Sequence, residues 1–255
     1  MKISLIQTAL AWEDPEANRA NFTQKIESIE GSTELIILPE MFATGFTMNP
    51  QAVAEGMDGT TVNWMKTMAA ANNCAITGSL VIEEEGKYYN RLLFVLPNGE
   101  IKTYNKRHLF TLAGEDNYYT AGTEKLIVNY KGWKICPLVC YDLRFPVFAR
   151  NVEEYDLLLY VANWPQVRTV AWDALLRARA IENLSYTIGV NRVGQDANGH
   201  NYSGHSQVLD ALGSYITKPF ENEGVVTVEL DREALLKTRG KFAFLNDRDS
   251  FTIVM

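Results

Sequence analysis

The sequence predicts an α/β layered fold built on mixed sheet. Short runs rich in Val, Ile and Leu alternate with longer amphipathic stretches, the pattern of strands and helices stacked in layers. Several of those runs are apolar throughout, which suits strands covered on both faces. Turn chemistry joins some neighbouring runs as hairpins, so the sheet cannot be purely parallel.

Taken in order, the expected strands are Ile3–Thr8, Leu35–Leu38, Ala75–Ile82, Arg91–Pro97, Lys125–Asn129, Ile135–Val139, Leu157–Ala162, Tyr186–Asn191, Gln207–Leu209 and Val225–Leu230. Pro97-Asn98-Gly99-Glu100 carries the Asn-Gly hairpin signal, with a further strand opening after it. Tyr130-Lys131-Gly132-Trp133 and Ala211-Leu212-Gly213-Ser214 have similar turn chemistry. The expected helices are Glu16–Glu30, Val62–Asn72, Val147–Glu153, Val170–Leu184 and Arg232–Lys237. In the first, Phe22, Ile26 and Ile29 recur at helical spacing. In the fourth, Val170, Ala174, Ala178 and Ile181 do the same, and both stripes are expected to face the core. No repeat, low-complexity tract or Pro/Gly/Ser linker divides the 255 residues, so one domain over 1–255 is expected.

Composition narrows the function. The formal net charge is -7 and no cluster of Lys and Arg builds a basic face, which argues against nucleic acid or an anionic membrane as partner. No apolar run approaches the roughly 20 residues of a membrane span. The first residues lack the pattern of a signal peptide, and three cysteines are too few for a disulfide scaffold. The expected compartment is the reducing cytoplasm. No His, Cys or carboxylate spacing fits a metal site, and no glycine-rich nucleotide loop is present, so no cofactor is expected.

Three segments set reactive groups at strand ends. Leu35-Ile36-Ile37-Leu38 should form a buried strand that Pro39 stops, with Glu40 following at once. The ends of strands are where α/β folds keep their sites. Position alone also fits a solvated loop carboxylate. Tyr104-Asn105-Lys106-Arg107-His108 follows the strand after the Asn-Gly turn, and Lys106 is there either a solvated base or a fixed, desolvated positive charge. Ile135-Cys136-Pro137-Leu138-Val139-Cys140 is an apolar strand ending in a cysteine, before Tyr141-Asp142-Leu143-Arg144-Phe145-Pro146. A cysteine at a strand-to-helix turn meets backbone N–H groups and a helix's positive end, which should favour its thiolate. Cys74 and Cys136 sit inside apolar runs and read as small buried hydrophobes.

In this order the segments resemble the nitrilase, or carbon–nitrogen hydrolase, superfamily. The matches are Leu-Pro-Glu40-Met-Phe, Tyr-Asn-Lys106-Arg-His-Leu-Phe and Val-Cys140-Tyr-Asp-Leu-Arg-Phe-Pro. Ala113-Gly114-Glu115-Asp116 lines up with a second glutamate of that family's pocket, and blocks around Tyr160–Pro165 and Arg177–Asn183 extend the likeness. Asn163-Trp164-Pro165-Gln166-Val167-Arg168 and Asn191-Arg192-Val193-Gly194 look most like the bacterial omega-amidase branch. The length is short for true nitrilases, which usually carry a C-terminal extension.

The resemblance implies a four-layer α-β-β-α sandwich with two mixed β-sheets, and a homodimer. It implies a Glu-Lys-Cys catalytic set acting on a small amide, the side-chain amide of 2-oxoglutaramate or 2-oxosuccinamate. Cys140 would be the nucleophile and Glu40 the general base and acid. Lys106 and the backbone N–H of Tyr141 would hold the oxyanion, with Glu115 orienting Lys106 or assisting Glu40. The substrate carboxylate needs a cation, for which Arg168 is the candidate. Trp164, Phe42 and Phe46 would wall the pocket, and Arg144 is expected in a structural ion pair. Within the same family an N-carbamoyl amine hydrolase, an aliphatic amidase or a nitrilase would use the same groups. A non-catalytic binding or dimerisation module is the alternative of another class.

Overall fold

The computed structural model describes residues 1–253. Its elements are β1 (Lys2–Gln7), α1 (Pro15–Glu27), β2 (Leu35–Ile37), α2 (Pro50–Val53), α3 (Thr60–Ala71), β3 (Ala75–Glu84), β4 (Lys87–Val95) and β5 (Ile101–Asn105). There follow β6 (Val128–Tyr130), β7 (Trp133–Val139), α4 (Pro146–Ala149), β8 (Leu157–Ala162), α5 (Thr169–Asn183), β9 (Tyr186–Asn191) and β10 (Val193–Gln195). The last are β11 (Asn201–Ser203), β12 (Ser206–Leu209), β13 (Tyr215–Phe220), β14 (Gly224–Glu229) and α6 (Arg232–Phe242).

Two six-stranded mixed sheets result, ordered β14-β1-β2-β3-β4-β5 and β13-β12-β9-β8-β7-β6. Strand periodicity assigns the layers. Leu35 and Ile37 of β2 face the second sheet, while Ile36 and Leu38 meet Phe22 and Ile26 of α1 and Val62 and Met65 of α3. Each fully buried aliphatic contributes about 2 kcal/mol. On the far side Trp172, Leu176 and Ala180 of α5 pack on the second sheet. The order is therefore helices, sheet, sheet, helices, the sandwich that the resemblance implied.

Local chemistry sets the element ends. Asp14 caps α1 by accepting the Ala17 N–H at 3.0 Å, and Pro15 occupies the first turn. Lys131 and Gly132 both take positive φ (47° and 81°) to turn the β6–β7 hairpin. The other two expected hairpins form as β4–β5 and β12–β13.

Two expectations need correction. The helix expected over Val147–Glu153 stops at Ala149. Asn151 diverts the chain, since its side chain accepts the Tyr155 N–H at 2.9 Å and donates to the Tyr155 carbonyl at 3.0 Å. The Val170, Ala174, Ala178, Ile181 stripe of α5 faces outward, with Val170 85% and Ile181 48% exposed. The larger Trp172 and Leu176 take the inward face, where Gly189 of β9 leaves room; a Cβ there would stand 2.5 Å from Leu176.

Candidate active site

Three strand ends converge on one cavity. Glu40 lies three residues past the end of β2, after Leu38 and Pro39, and Pro39 cannot extend the ladder. Lys106 follows β5, and Cys140 follows β7. Cys140 takes φ 44° and Met41, beside Glu40, takes φ 41°, a left-handed backbone that non-glycine residues adopt at an energetic cost. Such strain at two strand ends in one site marks positions that the surrounding structure over-determines.

Lys106 joins the carboxylates. Its Nζ lies 2.9 Å from Glu40 Oε1, and 3.0 and 2.9 Å from the two oxygens of Glu115. All three side chains are buried. Buried charges persist only when paired and hydrogen-bonded, and here further donors reach both carboxylates. Asn90 donates to Glu40 at 2.8 Å and to Glu115 at 3.3 Å. The backbone N–H of Asn163 donates to Glu40 Oε2 at 2.8 Å, and that of Phe110 to Glu115 Oε2 at 2.5 Å.

These surroundings set the protonation states. Burial alone would lower the Lys106 pKa, but the charges of Glu115 and Glu40 outweigh it and raise it, so Lys106 stays an ammonium. Burial raises the Glu115 pKa, against the pull of Lys106. Burial raises the Cys140 pKa far above the ordinary thiol value, and the charge of Glu40 adds to it. Both effects run against the thiolate expected from the sequence. No long helix follows Cys140, only a five-residue 3₁₀ turn with a weak dipole, and the adjacent carboxylate disfavours a second negative charge. Burial and the neighbouring Glu40 carboxylate both favour the neutral thiol of Cys140.

The cavity above these groups has a volume of about 460 Å³. Glu40, Lys106 and Cys140 line it together with Tyr141, and Phe46, Phe110 and Trp164 form apolar wall. Arg168 lines it too, its guanidinium over the Phe110 ring at 5.2 Å. Phe42 does not. It packs edge-on against Phe22 at 5.3 Å in the layer between the first sheet and α1. The left-handed turn at Met41 aims it away from Glu40. Arg144 also departs from expectation. Among the described residues it has no ion pair, and it sits over the Trp164 ring at 4.9 Å in the cavity wall.

Sequence reasoning missed Asn90, Asn163 and one whole wall. Asn90 sits mid-strand in β4, where a polar residue between Tyr89 and the apolar run after Arg91 was the available signal. The hairpin β10–β11 supplies Asp196, Asn198, His200 and Tyr202 to the cavity rim. Among the described residues no group of three or more His, Cys, Asp or Glu side chains could hold a metal ion. No helix among them is long and apolar enough to cross a membrane.

Comparison with known proteins agrees with this geometry. A carbon-nitrogen hydrolase family model matches residues 2–239. The omega-amidase YafV of Escherichia coli K12 is 45% identical over 254 residues, 99% of this chain and 98% of the relative. The 2-oxoglutaramate amidase of Bacillus subtilis is 30% identical over 250 residues, 96% of each chain. The crystal structure of XC1258 from Xanthomonas campestris, a CN-hydrolase superfamily protein with an arsenic adduct in its active site, matches with a TM-score of 0.97. It is 46% identical and covers 100% of this chain and 99% of its own.

Proposed function

Because the chain belongs to the carbon–nitrogen hydrolase family, we propose that it hydrolyses the side-chain amide of 2-oxo dicarboxylic acid monoamides through a Cys140 thioester. The observation that carries this reading is the Lys106 ammonium held between Glu40 and Glu115 in the wall of a cavity that Cys140 shares. The names of the similar proteins, omega-amidase and 2-oxoglutaramate amidase, support the substrate class.

The steps follow from the protonation states. Glu40 takes the Sγ proton as Sγ attacks the amide carbonyl, so the thiolate never has to persist in the buried site. Electrons move onto the carbonyl oxygen, which Lys106 and the backbone N–H of Tyr141 hold. Glu40 returns the proton to the departing nitrogen, and ammonia leaves behind an acyl thioester on Cys140. A water, deprotonated by Glu40, then attacks that thioester and releases the dicarboxylate and the Cys140 thiol. Glu115 fixes the Lys106 ammonium alongside Glu40. Arg168 pairs with the substrate's 2-oxo acid carboxylate, and Phe46 and Trp164 exclude water around it.

The unit works as one domain in the cytoplasm, without a cofactor, and pairs as a homodimer. The outward apolar stripe of α5, Val170 to Ile181, supports that pairing. Ammonia release from 2-oxoglutaramate, 2-oxosuccinamate, an N-carbamoyl amine and a simple nitrile tests the assignment. Wild type should act on the first two, and Cys140→Ala should sit at background. Faster release from the N-carbamoyl amine or the nitrile, or ammonia that survives Cys140→Ala, would overturn it.

A further inference from the structure

Cys140 and Lys106 belong to different sheets, and a polar network outside the substrate cavity joins their two segments. Asp142, two residues after Cys140, is fully buried. Its Oδ2 accepts the Tyr104 hydroxyl at 2.7 Å and the Val139 N–H at 3.0 Å. Its Oδ1 accepts the His108 backbone N–H at 3.0 Å and meets His108 Nδ1 at 2.7 Å. Tyr104 and His108 stand two residues before and two after Lys106. The His108 ring also lies flat on Phe145, centroids 3.7 Å apart, just beyond the Cys140 turn. One carboxylate thus fastens both flanks of Lys106 to both flanks of Cys140.

We propose that Tyr104, His108 and Asp142 are positioning residues that form a brace setting the Lys106 ammonium against the Cys140 sulfur. The inference rests on the reading of Cys140 and Lys106 as reacting groups. Cys140 holds a left-handed backbone, and Asp142 is the group that ties down the strand-end N–H just before it. Three of these four donors, the Tyr104 hydroxyl and the two His108 N–H groups, cross between the segments onto one buried carboxylate, and each would lose its partner if the segments slid apart. Displacements of about 1 Å cost up to ~10² in rate, so a loosened brace acts on turnover before it acts on binding. Tyr104, His108 and Asp142 do not line the substrate cavity.

Tyr104→Phe removes one hydroxyl from the brace and leaves the packing. Tyr160→Phe is its control, because Tyr160 is equally buried in the same core and its hydroxyl has no partner among the described residues. Tyr104→Phe should lower kcat about tenfold with KM within about twofold, and slow Cys140 alkylation by iodoacetamide similarly. Tyr160→Phe should change neither. His108→Gln should mimic Tyr104→Phe, and the double variant should fall less than the product of the two, as members of one network do. Asp142→Asn should cost the most if it folds, and the other variants decide the matter if it does not. Equal kcat and alkylation rate in Tyr104→Phe, His108→Gln and wild type, with only thermal stability lowered, would overturn the brace. Should wild type show no turnover above Cys140→Ala, the functional reading fails instead, and alkylation still tests the brace.

Discussion

The two sheets share one pairing pattern and contribute different chemistry. Read from β14 and from β6, each runs antiparallel, parallel, parallel, antiparallel, antiparallel. The third strand of the first sheet, β2, leads to Glu40; the third of the second, β8, leads to Asn163. These equivalent ends meet, because Asn163 donates its backbone N–H to the Glu40 carboxylate and its side-chain amide to the Glu40 carbonyl at 2.5 Å. The second strands diverge. After β7 stands Cys140 at the cavity; after β1 stands Thr8, buried and bonded to Asn21 at 3.1 Å. A repeated architecture supplies equivalent strand ends, and the residue placed at each decides whether that end brings an acid or nucleophile to the cavity or only supports a neighbour.

The contrast can be broken experimentally, and the largest effect should come from the cation that the first sheet supplies. Lys106→Met should lower kcat by ~10²–10³ through the lost oxyanion contact. It should also cost about 3–5 kcal/mol in urea unfolding, because two buried carboxylates lose their partner. That deficit should shrink as pH falls, since protonation relieves the two carboxylates. An equal deficit at all pH values would contradict the cluster's charge state.

Arg168→Ala should raise KM for 2-oxoglutaramate by ~10–100-fold with kcat nearly kept, the value of one charge-assisted contact. A fall in kcat at constant KM would move Arg168 from binding to chemistry. Asn163→Ala, at the supporting counterpart of Glu40, should lower kcat about tenfold in steady-state assays by freeing the Glu40 backbone. Loss as large as that of Glu40→Gln would erase the distinction between a reacting end and a supporting one.

The smallest effect separates the idle thiols from Cys140. Burial pushes the Cys74 thiol from 9.0 up to about 11. A raised folded-state value means that its stabilisation is complete below the unfolded value and lost as pH climbs to the folded one. Between pH 9 and about 11 the wild type should therefore lose about 2–3 kcal/mol more unfolding free energy than Cys74→Ala. Parallel curves for the two proteins would show that Cys74 does not titrate in that window.

Much of the site was legible because its groups announce themselves locally. Lys106 and Cys140 each follow a run of strand-forming residues directly, Glu40 follows one after a single proline, and strand ends are where such folds place chemistry. What was illegible depends on distance or on competition. Asn163 supports a residue 123 positions away, which no local pattern encodes. Phe42 neighbours Glu40 in sequence, but one left-handed residue between them reverses its direction. In α5 the helical spacing of Val170 and Ile181 matched a core stripe, yet the volumes of Trp172 and Leu176 and the gap at Gly189 decided which face turned inward. The thiolate expectation weighed a helix end and could not see either the depth of burial at Cys140 or a carboxylate from another strand, both of which raise its pKa.

The most direct test of the account is intact-protein mass spectrometry of enzyme quenched while it turns over 2-oxoglutaramate. The account predicts an adduct equal to the substrate less ammonia, mapped to the peptide holding Cys140 and absent from Cys140→Ala. Ammonia release with no such adduct, or an adduct on Cys74 or Cys136, would contradict it.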